Sequence, residues 1–520
     1  MRRADLCVPG LALMLVAGAL GHACRRAPAP GRAADAGAEP GALPSASVTP
    51  TAERARGNVS FAVRDPSGKG IPCKLTLVGR EGTPVPDLAF GQPTASIEGG
   101  VAAHHRVFSL SGSGAFTAPE GDYDVYVSRG LEWSLHAQRA RVGATPVSVA
   151  ATLSEQVPTP GWLSADLHVH SAPSWDSDVP LPARVHEFVA EGVDVLVATD
   201  HNIVTDFRPD IERAGARELL GTVAGTEVST TDWGHFGAFP MRDEKGWWML
   251  HGVRMNGMQP DDLLRALRRH APSALVTANH PRLGKMGYFG IGGFDPRSGS
   301  FAKPRVSFQF DAVEVMNGAK HGSVEAVDLV MEDWFGLLRS GRRVTAVGNS
   351  DTHELSTSYA GYPRNYARLG DRPPAPEGDR LAAAFREGQA FFTSGPFVEA
   401  EIAGRSYGEL VHARGGRVSL ALKIRAAGWI PVSRARVYVD GKVAKELPVP
   451  AGKEPLRLSA DVELETPQDT FVVVRVDGDS ALPPVVAGPP AEVLMPLALT
   501  NPIWVDADGD GRYRPAQRRF

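Results

Sequence analysis

The spacing of apolar positions changes along the chain, and the changes divide it. Residues 11–20, LALMLVAGAL, form an apolar run behind Arg2 and Arg3, and Gly-His-Ala then precedes Cys24. That order predicts a signal peptide over residues 1–23, too short for a comfortable membrane span. Residues 24–56 hold Ala, Pro, Gly and Ser with almost no large apolar side chain, a disordered linker that cannot bury enough surface to fold. From residue 57 to 155, short alternating runs (VSFAVRD, CKLTLVG, YDVYVSRG) are parted by turns such as DPSGKGIP, which predicts an N-terminal antiparallel β-sandwich. His104 and His105 fall within it and are expected at the surface.

Between residues 160 and 396 the texture alternates. The runs DVLVATD, GTVAGTEVS, ALVTANH, DAVEVMN, RVTAVGNSD and AFFTSG read as strands, with one more carrying Asp166. PARVHEFVAEG, PDDLLRALRRH and SVEAVDLVMEDWFGLLRSG place apolar residues on one helical face. About seven strands alternating with helices predict a central parallel βα barrel. Strand-like alternation returns in RVSLALKIRA, RARVYVDGK and DTFVVVRVDG, giving a C-terminal β-domain over residues 397–520. The expected architecture is therefore multidomain, a barrel flanked by two β-sandwich domains.

Composition removes some functions. The chain has 520 residues, 43% hydrophobic and 22% charged, with net charge −4. No basic stripe exists for phosphate neutralisation, so nucleic acid is excluded as a main partner. Of the three cysteines, Cys7, Cys24 and Cys73, no two lie close in sequence, which excludes a sulfur-ligated metal. Cleavage after Ala23 would leave Cys24 first, as in a bacterial lipoprotein, although Gly21 stands where such signals usually carry Leu. The expectation is export to the bacterial cell envelope, in the periplasm or on the outer membrane, with a possible membrane tether through lipidated Cys24.

The chemistry gathers where the strands end. His168 and His170 are two apart and project to one side of their strand. DVLVATDHN ends in Asp200 and His201, and GTVAGTEVS carries Glu227 with His235 just beyond. ALVTANH ends at His280, DAVEVMN carries Glu314 and Asn317, and RVTAVGNSDTH ends in Asp351 and His353. A barrel presents strand ends at one mouth, so six of the fifteen histidines would meet there. Divalent cations offset the cost of burying them, and N/O donors suit Zn, Mn or Fe.

DLHVH, TDHN, GTE, NHP and GNSDTH together resemble the PHP (polymerase and histidinol phosphatase) superfamily of metal-dependent hydrolases. HSAPSWDSDVP, EVMNG, FFTSGPF and LTNPIWVDADGDG are similar to its carbaryl hydrolase-like (CehA/McbA) branch. The resemblance implies a distorted (β/α)7 barrel and two to three divalent ions. His168, His170, Glu227 and Asp351 would hold the first, Glu227, His235 and His280 the second, and Asp176, His201 and His353 a third. Asp176 stands where some relatives carry His. Asp166 and Asp200 are expected to orient imidazoles, with Glu314 and Asn317 as supports.

The implied reaction is hydrolysis by a hydroxide bridging two ions, on a small-molecule carboxylic ester or carbamate. A phosphoesterase with the same site is the alternative, and an inert envelope binding protein a further one. Asp351, His353 and Arg364 are the candidate catalytic residues, Arg364 as a clamp for an anionic group. Lys320 and His321 could touch substrate, and Trp247 and Trp248 could wall a pocket. His186 and His270 are expected to be solvated. Asp506, Asp508 and Asp510 imitate a calcium loop but read as a tight acidic turn, since Gln517 stands where the closing Glu would be.

Overall fold

The computed structural model describes residues 54–242, 257–318, 323–356, 359–370, 377–484, 486 and 494–515. The signal, the linker as far as residue 53, Lys320, His321, Trp247, Trp248 and Gln517 lie outside the described residues, and the expected linker ends early because Arg56 already opens a strand.

Strand Arg56–Arg64 buries Val59, Phe61 and Val63 and turns Asn58, Ser60 and Arg64 to water, the period of two its sequence carries. It pairs antiparallel with Ser113–Pro119. A six-stranded antiparallel sheet, in which Cys73–Gly79 pairs with Arg106–Ser109 and Gly121–Ser128, shares one core with it. One pairing departs from the antiparallel expectation: Arg56–Arg64 runs parallel to Val147–Thr152, to which the chain returns only after building the other sheet. His105 departs too, being 3% exposed. His104 takes φ 49° in the turn before Arg106–Ser109 and stays outside, and the same turn sends His105 inward, where burial holds its imidazole neutral with a pKa down to about 2.

The centre is built from β1 (Trp162–Val169), β2 (Val195–Ala198), β3 (Gly221–Ala224), β4 (Thr226–Ser229), β5 (His235–Phe239), β6 (Leu275–Ala278), β7 (Ala312–Asn317) and β8 (Thr345–Asn349). Between them run α1 (Leu181–Ala190), α2 (Arg208–Arg213), α3 (Pro260–His270), the short α4 (Tyr288–Gly292) and α5 (Val324–Arg339). β1, β2 and β3 pair in parallel, as do β6, β7 and β8. Residues of β2, β6, β7 and β8 are buried on both faces, which explains their unbroken apolar runs. β3 and β4 are one run broken at Gly225, where a Cβ would meet the carbonyl oxygens of Ala198 and Ala238 at 2.8 Å. After the break, β4 pairs antiparallel with β5, and β5 with β6. Two single bridges, His201 with Glu227 and Val169 with Thr352, bring the two sheets together at both margins.

Two strands differ from the sequence expectation. β5, read there as residues beyond a strand, is one. AFFTSG, counted with the barrel, instead forms β10 (Ala390–Thr393), which pairs antiparallel with β9 (Arg364–Arg368) and with Leu497–Thr500. The sheet thus runs β3-β2-β1-β9-β10 and on into the C-terminal strands, across the expected boundary at residue 396. Its core is shared in the same way: Trp162, Phe391, Phe397, Val418 and Phe471 belong to one cluster. A separate three-stranded antiparallel sheet is formed by Phe397–Ile402, Arg417–Arg425 and Leu456–Glu465. At its end the chain closes an acidic turn in which the Asp506 carboxylate accepts from the backbone N–H groups of Gly509 and Gly511.

Candidate metal centre

The parallel strands deliver their ends to one place. β1 presents His168 and, just past its end, His170, and the loops after β2, β6 and β8 supply His201, His280, Asp351 and His353. β5 runs antiparallel, so its first residue, His235, arrives beside Glu227 of β4. His280 and Asp351 sit at φ 29° and 50°, left-handed conformations that non-glycine residues rarely hold unless the surroundings enforce them.

Glu227 is the hub. Its Oε1 lies 3.2 Å from His168 Nε2, 3.2 Å from His280 Nε2 and 3.3 Å from His235 Nδ1. Its Oε2 lies 2.8 Å from His201 Nδ1 and 3.6 Å from His170 Nε2. Asp351 Oδ1 is 3.1 Å from His168 Nε2 and 3.2 Å from His170 Nε2. Asp176 Oδ2 is 3.0 Å from His201 Nε2 and 3.2 Å from His353 Nε2. Ligand atoms therefore cluster as His168–His280–Asp351, His168–His170–Glu227, His201–Glu227–His235 and His170–Asp176–His201–His353. The implied ligands are all drawn together, but the grouping differs: His280 keeps company with His168 and Asp351, and His235 with His201. The Asp176–His353 group lies nearest solvent, with side chains 38% and 25% exposed.

This donor set fits divalent cations. His168 donates through Nδ1 to Glu314 Oε1 at 2.9 Å, which turns the lone pair of Nε2 onto Glu227 and Asp351. A lone pair facing two carboxylate oxygens is repulsive unless a proton or a cation lies between them. His170 Nε2 and Glu227 Oε2 are buried and make no aligned hydrogen bond despite their neighbours, so these atoms converge on a common point rather than on each other. The donors are N and O with no sulfur, suited to Zn, Mn or Fe.

The charges respond accordingly. Burial pushes the His168 imidazole down, but Asp351, Glu227 and Glu314 outweigh it and hold its pKa well above the usual value. His201 is likewise depressed by burial yet raised to about 9 by Asp176 and Glu227. Burial raises Glu227, but His168 and His235 overcome it and keep the carboxylate far below its ordinary range. His170 is the exception: burial wins and takes it to about 3. Protons on His168 and His201 stand in for cations, so metal uptake there must release protons.

Supports surround the cluster. Glu314 accepts from His168 Nδ1, Asn349 Nδ2 (2.8 Å), the His280 backbone N–H (2.8 Å) and Asn317 Nδ2 (2.8 Å). Asn317 also donates to Asp351 Oδ2 at 3.0 Å. Among the described residues, Asp166 and Asp200 hydrogen-bond no imidazole ring. Asp166 accepts from the backbone N–H groups of Ser350 and Gly361, and Asp200 from Ser171 and the Thr205 hydroxyl, so each pins a loop. Arg364 does not reach the cluster. Its side chain is fully buried on the far side of β9, donating to the carbonyls of Gly361 (2.9 Å) and Glu191 (3.1 Å) beside Glu132, and cannot clamp a substrate. His186, expected to be solvated, is half-buried, with its Nδ1 2.8 Å from the Pro182 carbonyl oxygen.

Sequence reasoning missed several participants. Asn279 Nδ2 donates to Glu227 Oε1 at 2.9 Å, and Ser174 Oγ contacts His170 Nδ1 and donates to Asp176 Oδ1. Asn279 and Asn349 stand inside the quoted runs ANH and GNSD, and attention to amides as well as imidazoles would have found them. Arg184, on α1, is buried and donates to the carbonyls of His170 and Thr352, tying together two loops that carry candidate ligands; a lone Arg on a helix gives no such signal.

No protein-family model matches the chain, and no curated protein matches it. Among solved structures it is similar to a two-domain protein from Bacteroides vulgatus containing a predicted PHP-like metal-dependent phosphoesterase. That likeness has 18% identity over 67% of this chain and 97% of that one, with a TM-score of 0.34. It is also similar to an engineered protein at 12% identity, covering 62% of this chain and 80% of that one, with a TM-score of 0.15. Likenesses at those scores carry no argument, and the centre stands on its own geometry.

Proposed function

We propose that the protein is an exported metal-dependent hydrolase of ester-type bonds, a carboxylic esterase or carbamate hydrolase built on a distorted (β/α)7 barrel of the PHP kind. The observation that carries the reading is His168: one nitrogen is fixed by Glu314 while the other faces Glu227 and Asp351, where only a cation or proton relieves the repulsion. The parallel pairings on either side of β4 and β5, joined by the two bridges, support the barrel.

Bound at this cluster, divalent ions supply an activated water and polarise the substrate oxygen. The chain's own residues do the rest. Glu314 holds His168 in the tautomer that presents Nε2, and Asn317 and Asn279 fix the Asp351 and Glu227 carboxylates. His353, the more exposed side of the cluster, donates through Nδ1 to the Asp351 carbonyl at 2.8 Å. That bond leaves Nε2 facing Asp176 Oδ2 at 3.2 Å, on the more exposed side of the cluster. Among the described residues, every ion pair of Asp176, Glu227 and Asp351 is with a histidine, the pairing expected of a metal-ligand set.

A panel of nitrophenyl esters and phosphates, with and without added Mn or Zn, tests the proposal. Metal-stimulated turnover of esters is expected, with His168→Ala and Asp351→Ala abolishing it and lowering bound metal while His186→Ala changes neither. Full activity in the first two variants refutes the assignment. Turnover of phosphates alone moves it to a phosphoesterase, and none at all leaves a binding protein.

A further inference from the structure

The ligand group nearest solvent, His170, Asp176, His201 and His353, is drawn from three separate segments, yet one short loop touches all of it. The loop spans residues 171–178 and closes where the Ala172 N–H donates to the Val179 carbonyl at 2.9 Å. Ser174, 2% exposed, sits inside it. A hydroxyl has one proton to donate and two lone pairs that accept. Ser174 Oγ donates to Asp176 Oδ1 at 3.0 Å, accepts from the His201 backbone N–H at 3.2 Å, and lies 3.1 Å from His170 Nδ1. Its capacity is full, and every bond goes to a member of the outer group. The fourth member is held by the same loop, since Ser177 Oγ donates to the His353 carbonyl at 2.7 Å.

These bonds set directions. With its proton given to Asp176, the hydroxyl can only accept at His170. The one N–H of the neutral imidazole therefore sits on Nδ1, and the lone pair stays on Nε2, toward Asp351 Oδ1 and Glu227 Oε2. Asp176 is fixed in the same way. Its Oδ1 is taken by Ser174, which turns Oδ2 onto His201 Nε2 and His353 Nε2. The Asp176 side chain is 38% exposed, so water competes for it, and among the described residues Ser174 is the partner that holds Oδ1.

We propose that Ser174 is a positioning residue for an outer divalent cation: it presents Asp176 Oδ2 and orients His170, so that the outer group is assembled before the ion arrives. The assignment rests on the metal-hydrolase reading of the same cluster. Ligands already in position lose little freedom on binding, and partners that orient ligands decide affinity as the ligands themselves do. Without the hydroxyl, Asp176 turns to water and the outer ion is the first to leave. The inner ligands keep supports of their own in Glu314, Asn317 and Asn279.

Cobalt(II), which accepts the same N and O donors, is the probe. The Trp175 indole lies flat on the His201 imidazole, with centroids 4.1 Å apart and planes at 11°, so a paramagnetic ion in the outer group quenches its emission. The quenching that Trp175→Phe removes is the outer-group signal. Metal-free full-length protein is titrated with cobalt(II), as wild type and as Ser174→Ala, each with and without Trp175→Phe. Bound cobalt is counted by elemental analysis at the free concentration that just saturates the wild type. Ser174→Ala should move the midpoint of the Trp175 signal to about 10–100-fold higher cobalt and leave one ion fewer on each chain. A serine that only packs the loop would lower the thermal midpoint of the metal-free protein and leave the cobalt curves unchanged, and that result overturns the proposal. Loss of every ion together in Ser174→Ala overturns it as well. Cobalt bound by the wild type with no Trp175-dependent signal overturns it while leaving the hydrolase reading in place. No cobalt bound by the wild type overturns both.

Discussion

Glu314→Gln tests whether one buried carboxylate organises the cluster. Glu314 is 1% exposed and accepts four hydrogen bonds, two on each oxygen: His168 Nδ1 and Asn349 Nδ2 on Oε1, the His280 N–H and Asn317 Nδ2 on Oε2. All four partners are donors. A glutamine keeps one accepting oxygen and turns an NH2 group onto the other pair, so two donors lose their acceptor whichever way the amide points. Hydrogen bonds to a charged group contribute about 1.5–3 kcal/mol each, giving about 3–6 kcal/mol for two. The neutral amide no longer has to be buried as an ion, which offsets part of this, and a net loss of about 2–4 kcal/mol is expected. If the amide faces His168, the imidazole loses the partner that fixes its tautomer, and such losses weaken metal binding by about 10–100-fold. Denaturant unfolding of the metal-free protein reads the first quantity, and competition with a chromophoric chelator reads the second. An unfolding free energy within about 0.5 kcal/mol of wild type, with metal affinity unchanged, would refute the argument that Glu314 positions His168.

Three further outcomes follow from the same geometry. Arg364→Gln should lower stability by about 3–5 kcal/mol by leaving buried Glu132 without its cation, yet leave KM for anionic and neutral esters in the same ratio; a selective rise in KM for anionic esters would restore the clamp. Mn or Zn at 100 times its Kd should raise the unfolding free energy by about 2.7 kcal/mol, reversed by a chelator, and an unmoved thermal midpoint would argue against a cation at the cluster. His105→Leu should flatten the acid sensitivity of folding. Its folded pKa lies below the unfolded value, so its stability is present above about pH 6.5 and is lost as pH falls, by about 2 kcal/mol between pH 7.5 and 5.0 in wild type only. Identical pH profiles for the two proteins would show that His105 is not buried neutral.

Much of the site was legible because its chemistry is dense and its spacing simple. His168 and His170 share a strand face by period two, and each acid or imidazole marks the end of an apolar run, which is where parallel strands open. What escaped depends on partners distant in sequence. β5 looks like a loop because HFGAF is short and holds a glycine; its strand character comes from lying between β4 and β6. Arg364 looks like a clamp because it follows the last motif, but strand alternation turns it toward Glu132, 232 residues earlier, and no local pattern records that choice. His105 reads as polar and exposed until the turn at His104 is known to take a left-handed φ.

Near residue 155 the change of texture suggests separable domains. Arg106, from the N-terminal sheet, is 2% exposed and donates to the carbonyl of Leu355 at 3.0 Å, four residues beyond Asp351 and two beyond His353. Lys74 of that sheet pairs with Glu191 at the end of α1, both nearly inaccessible. Within α1, Arg184 reaches the carbonyls of His170 and Thr352. The loop that bears Asp351 is therefore held by Asp166 through Ser350 and Gly361, by Arg184 at Thr352, and by Arg106 at Leu355. Asp351 is kept in a left-handed conformation, which costs of order 1–3 kcal/mol, and a loop can hold such strain only when several independent contacts oppose its relaxation. One of those contacts comes from the N-terminal sheet, so that sheet belongs to the machinery that shapes the metal centre.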